Sequence, residues 1–537
     1  MKKLRLLIDM LMMSLLVCAA IAWGSPYTPA AQICLDIEEI WNIEDTLEES
    51  EVPLIARLEN HGVPLAYSAE ENRFYCPLDL SEVENGWPDI HLTAPESKGM
   101  HLLFADDYTY DWCTDAVRDG YAYQMMAYND EQYAYFEIVF TGMMQMHLYA
   151  EEEFGEMDIP IEATMSYGLQ SMSSHARAHY RGGITLHGPK KAYRVEFTRN
   201  SNGKGKIVQE VPVLGQVKDL LLIPMMLDST MMHDRISWDM YAHSRPESES
   251  YGARKTTYVE LFVNDSYEGI YLLLEPFDHV EELNKAGGAQ NCAVYRTGSV
   301  EADKDRPNIQ GAYVEGRGYE LHYEPTGAKE FAALRDFIDL CSMEDDQEFA
   351  ARSLEIVDLD SMLHYVAHLQ MYSMIDNVFN NFFVIASSDS GKTRYSFAPW
   401  DMDMTWGMPG NPYDMWVYFP PADRMINLDA GGIVRDRLYE IWTELRAQAL
   451  TYENIEKYIE QYVHELNDSG AWMRNAERWE LEEYFADGNG MLNYAADRLA
   501  LLDRTFEAIR DAEGPLEMFV YDDYENKYTQ ISGLGVE

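Results

Sequence analysis

The chain has 537 residues, of which 92 are acidic and 41 basic, and its formal net charge at pH 7 is −51. This length allows two to four domains with a large buried core. The negative charge is spread along the whole chain, which argues against binding to nucleic acid or to anionic lipid, because both need basic patches. It favours attraction to cationic partners such as Lys/Arg-rich proteins.

The N-terminus has the pattern of a secretory signal. Its first residues are basic, at Lys2, Lys3 and Arg5. An apolar stretch follows, and residues 20–22 (Ala-Ile-Ala) offer a small-x-small cleavage site. Cys18 raises the alternative of a lipoprotein, but Val17 before it is bulkier than such sites usually have. We predict a cleaved signal peptide over residues 1–24 and a secreted or cell-surface protein with no membrane span after cleavage.

Five cysteines follow the predicted signal peptide, at Cys34, Cys76, Cys113, Cys292 and Cys341. An odd number cannot pair completely within one chain, and no spacing suggests a zinc site. We predict mostly free, buried thiols, and one bridge among the first three stays open. Residues 25–150 are acidic and aromatic, with alternating apolar runs such as YAYFEIVF, which predict an accessory β-rich region without catalytic spacing.

The middle of the chain predicts strands followed by a helix. KAYRVEF (191–197) alternates as a half-buried strand does, and DLLLIPMM (219–226) reads as a buried strand. A helix is predicted after it, capped by Ser229 or Thr230. Asp228 and Arg235 flank its start, where we interpret them as a structural ion pair, with a role in positioning the site as the alternative. A hairpin formed by TTYVELFV and IYLLLEP comes next.

Residues 327–375 become helical in periodicity, and a hairpin is predicted directly after them. The segment LDSMLHYVAHLQMYSMI (359–375) repeats apolar residues at helical spacing. The runs FFVIA and RYSFA are then separated by Asp-Ser-Gly at 389–391, a turn-forming centre. After about residue 430 nearly everything is predicted helical, and a loose acidic tail is predicted after Gly514.

Acids and an amide are placed around this hairpin at a spacing typical of metal–phosphate chemistry. Asp376 closes the helix, Asn381 follows five residues later, and Asp401 and Asp403 follow the second strand. Protein kinases use this order for the catalytic base, a metal-binding Asn and a metal-binding Asp. Hard cations such as Mg²⁺ prefer these oxygen ligands. The alternative interpretation is a helix stop and a surface turn.

The pattern DN-x-x-x-N followed by PWDMDMTWG resembles the CotH kinase family. Three upstream segments agree in order: RGGITLHGPKKAYRVEF, LIPMMLDSTMMHDRISWDMY and YVELFVNDSYEGIYLLLEP. The Arg-Gly turn at 181–185 departs from the family's usual form. The resemblance implies an α+β fold with an atypical protein-kinase-like two-lobed core over 151–430, a β-rich N-terminal region, and a helical C-terminal part over 431–537.

The resemblance also implies roles for the acids. Asp376 would orient the substrate hydroxyl, Asn381 and Asp401 would hold metal, and Asp403 is a candidate for a second ion. The cofactors would be ATP with Mg²⁺ or Mn²⁺, and the acceptor a Ser or Thr of a secreted or surface protein. A protein rich in Lys, Arg and Ser is a candidate for that acceptor. The sequence does not separate the roles of the neighbouring Asn377 and Asn380.

Cations are expected on the nucleotide phosphates. The candidate nucleotide-binding residues are Lys190, Lys191, Arg181 and Glu275. Strand alternation places the two lysines on opposite faces, so both are kept, and Glu275 is expected to pair with one of them.

Two rival functions are open. One is a non-catalytic surface or coat binding protein of the same fold. The other is a carbohydrate-active enzyme, in which two carboxylates flank the bond that is broken.

Overall fold

The computed structural model describes residues 32–33, 37–83, 86–97, 99–106, 110–244, 254–277, 291–297, 319–324, 332–378, 380–389, 391–408, 413–429, 432–483, 485–516 and 528–531. The predicted signal peptide, with Cys18, and Cys34 lie outside these ranges. The other four cysteines are buried thiols outside any disulfide, as predicted: Cys76, Cys113, Cys292 and Cys341. No helix within the described ranges is both long and apolar enough to cross a lipid bilayer.

The N-terminal region is β-rich, as its alternating runs predicted. Its elements are β1 (Gln32–Ile33), α1 (Ile37–Thr46), β2 (Glu48–Glu49), β3 (Glu59–Asn60), β4 (Val63–Pro64), β5 (Ala66–Ser68), β6 (Arg73–Pro77), β7 (Leu92–Thr93), β8 (His101–Phe104), α2 (Cys113–Arg118), β9 (Ala122–Tyr128) and β10 (Gln132–Thr141). A mixed sheet runs in the order β1-β8-β9-β10-β6-β5, and β2 also pairs with β10. Alternate residues of β10 (Phe136, Ile138 and Phe140) enter one buried cluster, because side chains of a strand point to opposite faces.

A second sheet closes on itself. Its region contains β11 (Gln145–Tyr149), β12 (Ile159–Tyr167), β13 (Gln170–Arg181), β14 (Ala192–Asn200), β15 (Lys204–Lys206), β16 (Gln209–Val211), β17 (Gly215–Val217), β18 (Asp219–Ile223), α3 (His233–His243), β19 (Thr256–Val263) and β20 (Ser266–Leu274). The order is β13-β12-β11-β19-β20-β18-β14-β15, and β13 also pairs with β14, which completes the ring. Apolar residues from all seven strands of the ring fill its inside, among them Met146, Leu148, Val195, Phe197, Leu220 and Leu222.

The start of α3 differs from the sequence prediction. The helix begins at His233, and neither Ser229 nor Thr230 caps it. Instead, the Asp228 carboxylate accepts hydrogen bonds from the backbone N–H of Thr230 (2.8 Å) and of His233 (2.7 Å). An aspartate can satisfy two such donors in the turn before a helix, which delays the first helical residue.

The predicted ion pair between Asp228 and Arg235 is wrong. Arg235 Nη1 lies 2.8 Å from Glu465 Oε2, and the guanidinium lies between the rings of Tyr258 and Tyr462, at 4.2 and 4.3 Å. Stacking on two aromatic faces suits the flat guanidinium, so Arg235 joins α3 to a C-terminal helix. Asp228 is thereby left to the turn before α3.

The C-terminal part combines a small antiparallel sheet with helices. Its elements are β21 (Cys292–Thr297), β22 (Tyr319–Tyr323), α4 (Arg335–Cys341), α5 (Asp346–Ile356), α6 (Leu359–Tyr372), β23 (Phe382–Asp389), β24 (Lys392–Pro399), β25 (Met415–Val417), α7 (Pro420–Asn427), α8 (Ile433–Ala447), α9 (Tyr452–Asp468), α10 (Ala471–Trp479), α11 (Asn489–Asp511) and β26 (Tyr528–Gln530). The sheet order is β22-β21-β23-β24. The stretch after Gly514 was predicted to be a loose tail, but β26 within it pairs with β25.

One large core joins the closed sheet to these helices. Leu221, Leu272 and Leu274 belong to this core, whereas their neighbours Leu222 and Leu273 fill the inside of the ring. Helix α3 contributes Ile236, Trp238 and Met240 to the same core. Helix α3 therefore lies between the closed sheet and the C-terminal part, which is the position from which it reaches the candidate site.

Gly269 of β20 permits the close approach of α10, and its replacement by alanine is expected to destabilise the protein by about 3 kcal/mol or more. Its φ is +82°, and a Cβ there would lie 2.3 Å from Asn475 Oδ1 and 2.9 Å from Trp479 Nε1. Asn475 cannot move without breaking its bond to the Ile270 N–H (3.0 Å).

The matched control for this prediction is Gly391→Ala, because Gly391 has a φ of +80° and no heavy atom lies within 4 Å of the Cβ that alanine would add. It should cost about 1 kcal/mol, for the backbone alone. Urea unfolding measures both variants, and equal losses would contradict the role of the close approach.

Candidate active site

The predicted hairpin brings Asp376 and Asp401 to one place. Strands β23 and β24 pair from Phe382↔Pro399 to Asp389↔Lys392, so the residues that flank the hairpin become neighbours. The Trp400 N–H donates to the Asn381 carbonyl at 2.8 Å. Asp376 precedes Asn381 in the chain and lies in the short 3-10 turn Ile375–Asn377, which follows α6.

Asp376 and Asn381 are in direct contact. Asn381 Nδ2 donates to Asp376 Oδ2 at 2.7 Å. Asn381 and Asp401 both have left-handed backbone conformations, with φ of 55° and 57°. Such conformations are uncommon outside glycine, although Asn and Asp adopt them more readily than other residues, and they collect at functional sites. Two of the three residues predicted as metal ligands therefore have left-handed backbone conformations at the open end of the hairpin.

The structure separates Asn377 from Asn380. Asn377 is buried, and its Nδ2 donates to the carbonyls of Asn381 (2.7 Å) and Trp400 (2.6 Å). Its own carbonyl accepts a hydrogen bond from the Tyr365 hydroxyl at 2.7 Å. Asn377 thus ties both arms of the hairpin to helix α6, while Asn380 is half-buried beside it.

The carboxylates near the hairpin repel one another. Burial, together with the nearby carboxylates of Asp401, Asp234 and Asp376, raises the pKa of Asp403 to about 9. Burial, then Asp401, raises the pKa of Asp234 to about 7, against the hydrogen bond from Met402. The pKa of Asp401 is raised by burial and by Asp376. Because the crowded carboxylates disfavour one another's ionisation, a cation that would neutralise their charge is favoured at this place.

Two arginines oppose this charge. Burial lowers the pKa of Arg181, the last residue of β13, while Asp401 and Asp234 favour its charged form. Arg296 of β21 is close enough to lower the pKa of Arg181 further and to lower that of Asp401. Arg296 lies opposite Phe383, two residues beyond Asn381, and its Nη2 lies 2.8 Å from Glu320 Oε2. Arg181 was predicted, whereas no motif in the sequence pointed to Arg296.

Sequence reasoning also missed two residues of α3. Asp234 Oδ1 accepts a hydrogen bond from the Met402 N–H at 2.9 Å, and His233 Nδ1 lies 3.1 Å from the Asp403 carbonyl. Both residues are buried. The segment had been noted for Asp228 and Arg235, and Asp234 between them was the available signal.

Lys190 is buried away from these acids. Its Nζ donates to the Ile270 carbonyl (2.6 Å) and to Asn475 Oδ1 (3.2 Å). It also lies 4.7 Å from the centroid of the Tyr271 ring. A neutral amine has two N–H donors, which matches these two acceptors. These contacts join Lys190 to β20 and α10.

Lys191 and Glu275 do not meet either. Lys191 Nζ donates to the Leu186 carbonyl at 2.7 Å, within the loop between β13 and β14. Glu275 directly follows β20 and is half-buried. Among the described residues, neither Lys190 nor Lys191 forms the expected ion pair with Glu275.

Lys190→Met is expected to change how stability depends on pH. Burial lowers the pKa of Lys190 to about 7 from the ordinary 10.5. The unfolded chain therefore binds more protons between these values, and the wild type should lose about 1.4 kcal/mol per pH unit, relative to the variant, as the pH falls from 10 towards 7.

Urea unfolding at pH 7.5 and 9.5 tests this expectation. The wild type should gain about 2–3 kcal/mol over Lys190→Met at the higher pH. Lys191→Met is the control and should follow the wild type. A difference between wild type and Lys190→Met that is the same at both pH values would contradict a depressed pKa.

The residues at the hairpin fit a cation that is coordinated partly by protein side chains and partly by phosphate oxygens. Within the described part of the chain, no three His, Cys, Asp or Glu side chains are grouped so as to hold a metal ion by themselves. Mg²⁺ usually takes one or two carboxylates and completes its shell with water and substrate phosphates. Asp401, Asn381 and Asp403 supply oxygen atoms of the required kind, in surroundings with excess negative charge.

Two comparisons with known proteins show the family of the chain. Over 253 residues the chain is 24% identical to the inner spore coat protein H of Bacillus subtilis (strain 168). This aligned region covers 47% of this chain and 63% of that protein. The family model described as CotH kinase protein matches residues 178–502, more than half of the chain. The chain therefore belongs to the CotH kinase family.

Proposed function

We propose that this protein is a metal-dependent phosphotransferase that moves the γ-phosphoryl group of ATP to a Ser or Thr hydroxyl of another protein. The observation that carries the proposal is the contact of Asp376 with Asn381 at the end of a hairpin whose other arm leads to Asp401. Such an arrangement supports the proposal, because catalysis of phosphoryl transfer consists mainly of positioning and charge stabilisation.

Each residue of the site has a role in this proposal. Asp376 accepts the hydrogen bond of the attacking hydroxyl, and Asn381, Asp401 and Asp403 hold Mg²⁺ or Mn²⁺. The bound cation would neutralise charge on the phosphates. Arg181 faces the same charges and is proposed to contact phosphate.

The nucleotide roles of Lys190, Lys191 and Glu275 rest on the family resemblance alone. Lys191 is the better of the two lysines for a phosphate contact, since it is half-buried whereas Lys190 is enclosed.

We further propose a two-lobed core with the nucleotide between the closed sheet and the helical part, a core that spans 151–430, and a helical continuation over 431–537. The relative is named as a coat protein, which supports a location at a cell surface or coat. Export through the signal predicted at residues 1–24 would place the protein there.

A second candidate function is a non-catalytic coat protein of the same fold. It is favoured by the relative's name, which states a coat and no activity. Calorimetry with ATP and Mg²⁺ separates the two, because a pure scaffold should give no heat of binding.

Incubation of the purified protein with labelled ATP, an acceptor protein and Mg²⁺ or Mn²⁺ tests the proposed activity. Label transfer is expected with either cation and should stop with a chelator. Asp376→Ala and Asp401→Ala should each reduce transfer at least about 100-fold. Undiminished transfer in both variants would reject these roles.

A further inference from the structure

The first turns of α3 contact the loop that follows Asp401 at three points. Three hydrogen bonds join them: the Met402 N–H to Asp234 Oδ1 (2.9 Å), His233 Nδ1 to the Asp403 carbonyl (3.1 Å), and Trp406 Nε1 to Ser237 Oγ (2.9 Å). Ser237 lies four residues after His233 and three after Asp234, and both spacings make side chains neighbours on a helix surface. We call this set of contacts the α3 clamp.

The loop needs contacts of this kind to keep its shape. Asp401 and Trp406 both have left-handed conformations, with φ of 57° and 54°. Aspartate tolerates this conformation, but for Trp406 it costs about 1–2 kcal/mol, so the loop's own backbone favours other shapes. Partners outside the loop therefore have to hold this conformation.

The α3 clamp itself is firmly held. The Asp228 carboxylate accepts the His233 N–H at 2.7 Å and lies 3.5 Å from His233 Nε2. Asp234, His233 and Ser237 are 3%, 5% and 0% exposed, so neither water nor rotamer changes compete with their bonds. Arg235, stacked between two tyrosines, fixes the same helix from its other side.

We propose that Asp234 and His233 are positioning residues that set the directions of the Asp401 and Asp403 carboxylates. The two bonds fix the N–H that follows Asp401 and the carbonyl of Asp403, so the backbone that carries both carboxylates cannot rotate. Displacement of a catalytic group by about 1 Å can cost about 100-fold in rate. The consequence for metal affinity rests on the proposed function, whereas the effect on the loop does not.

Two variants of Asp234 separate positioning from a direct role of its charge. Asp234→Asn keeps an oxygen that can accept the Met402 N–H but removes the charge. Asp234→Ala removes both. If Asp234 acts by positioning the loop, Asp234→Asn should keep the Mn²⁺ affinity that Asp234→Ala loses. If its charge binds the cation, both variants should lose Mn²⁺ affinity equally. Asp239→Asn is the control, because Asp239 lies on α3 but accepts a hydrogen bond from Tyr462 of α9.

Hydrogen–deuterium exchange of the peptide over 400–407 measures the clamp directly, without nucleotide or metal. Asp234→Ala should raise exchange at the Met402 amide about tenfold or more, whereas Asp234→Asn and Asp239→Asn should match the wild type. Titration of Mn²⁺ in the presence of ATP is the second readout. The apparent dissociation constant should rise about 10–100-fold in Asp234→Ala and stay within about threefold in Asp234→Asn.

The proposal would be overturned if the Met402 amide exchanged in Asp234→Ala as fast as in the wild type. It would also be overturned if Asp234→Asn and Asp234→Ala weakened Mn²⁺ binding equally. If Asp234→Ala does not fold, His233→Ala replaces it and should raise exchange over 402–404. If the wild type does not bind ATP, the proposed function is refuted. The exchange measurement then still tests whether the α3 clamp holds the loop.

Discussion

Asp376→Asn is expected to lower the rate of phosphoryl transfer about 10²–10⁴-fold while the affinity for ATP changes less than about threefold. Asparagine keeps the size of the side chain and an oxygen for the 2.7 Å bond from Asn381 Nδ2. It cannot take up the proton of the attacking hydroxyl. The loss should therefore appear in kcat and leave nucleotide binding intact.

Initial rates with labelled ATP, together with calorimetry, measure the two quantities separately. Asp389→Asn is the control, because Asp389 lies at the far tip of the same hairpin, opposite Lys392. It should transfer phosphate as the wild type does. An unchanged rate in Asp376→Asn would contradict the assigned role, and so would a loss of ATP affinity as large as the loss of rate.

Arg474→Met is expected to destabilise the fold by about 3–5 kcal/mol, because it leaves a buried carboxylate without its counter-charge. Arg474 Nε and Nη2 lie 2.9 and 3.0 Å from the two carboxylate oxygens of Glu260, which is fully buried. Thr141 and Tyr267 also donate hydrogen bonds to Glu260, at 2.6 and 2.8 Å. The network joins β10, the closed sheet and α10.

Arg478→Met is the matched control on the same helix. Its side chain is 34% exposed, and its ion pair with Glu268 is long, at 3.7 Å. It should cost about 1 kcal/mol or less. Adding Glu260→Gln to Arg474→Met should recover part of the loss, since the unpaired charge is then removed. Equal losses in the free energy of unfolding for Arg474→Met and Arg478→Met, measured in urea, would contradict the stabilising role of the buried Arg474–Glu260 pair.

The hairpin half of the site was predictable from the sequence because its geometry is local. Asp376, Asn381 and Asp401 lie within a short stretch, and a helix stop followed by two alternating strands fixes where its ends meet. The turn signal at 389–391 and the apolar runs on both sides were sufficient. The strands and the helix around 359–375 were found for the same reason.

The other half depends on contacts between distant segments, which no local pattern encodes. Asp234 reaches Met402 across 168 residues, and Lys190 reaches Asn475 across 285. Arg296 lies on a strand whose composition resembles that of any buried strand. Strand alternation suggested a face for Lys190 but could not show that α10 covers it. The pairing of Arg235 with Glu465 was also not predicted, because it joins segments that are distant in the sequence.

Crystals grown with Mn²⁺ and a non-hydrolysable ATP analogue test the central claim most directly. The proposed site predicts an anomalous Mn²⁺ peak about 2 Å from a carboxylate oxygen of Asp401, with the phosphates beside it and Asp376 facing the γ-phosphate. A nucleotide bound elsewhere, with no cation at Asp401, would contradict it.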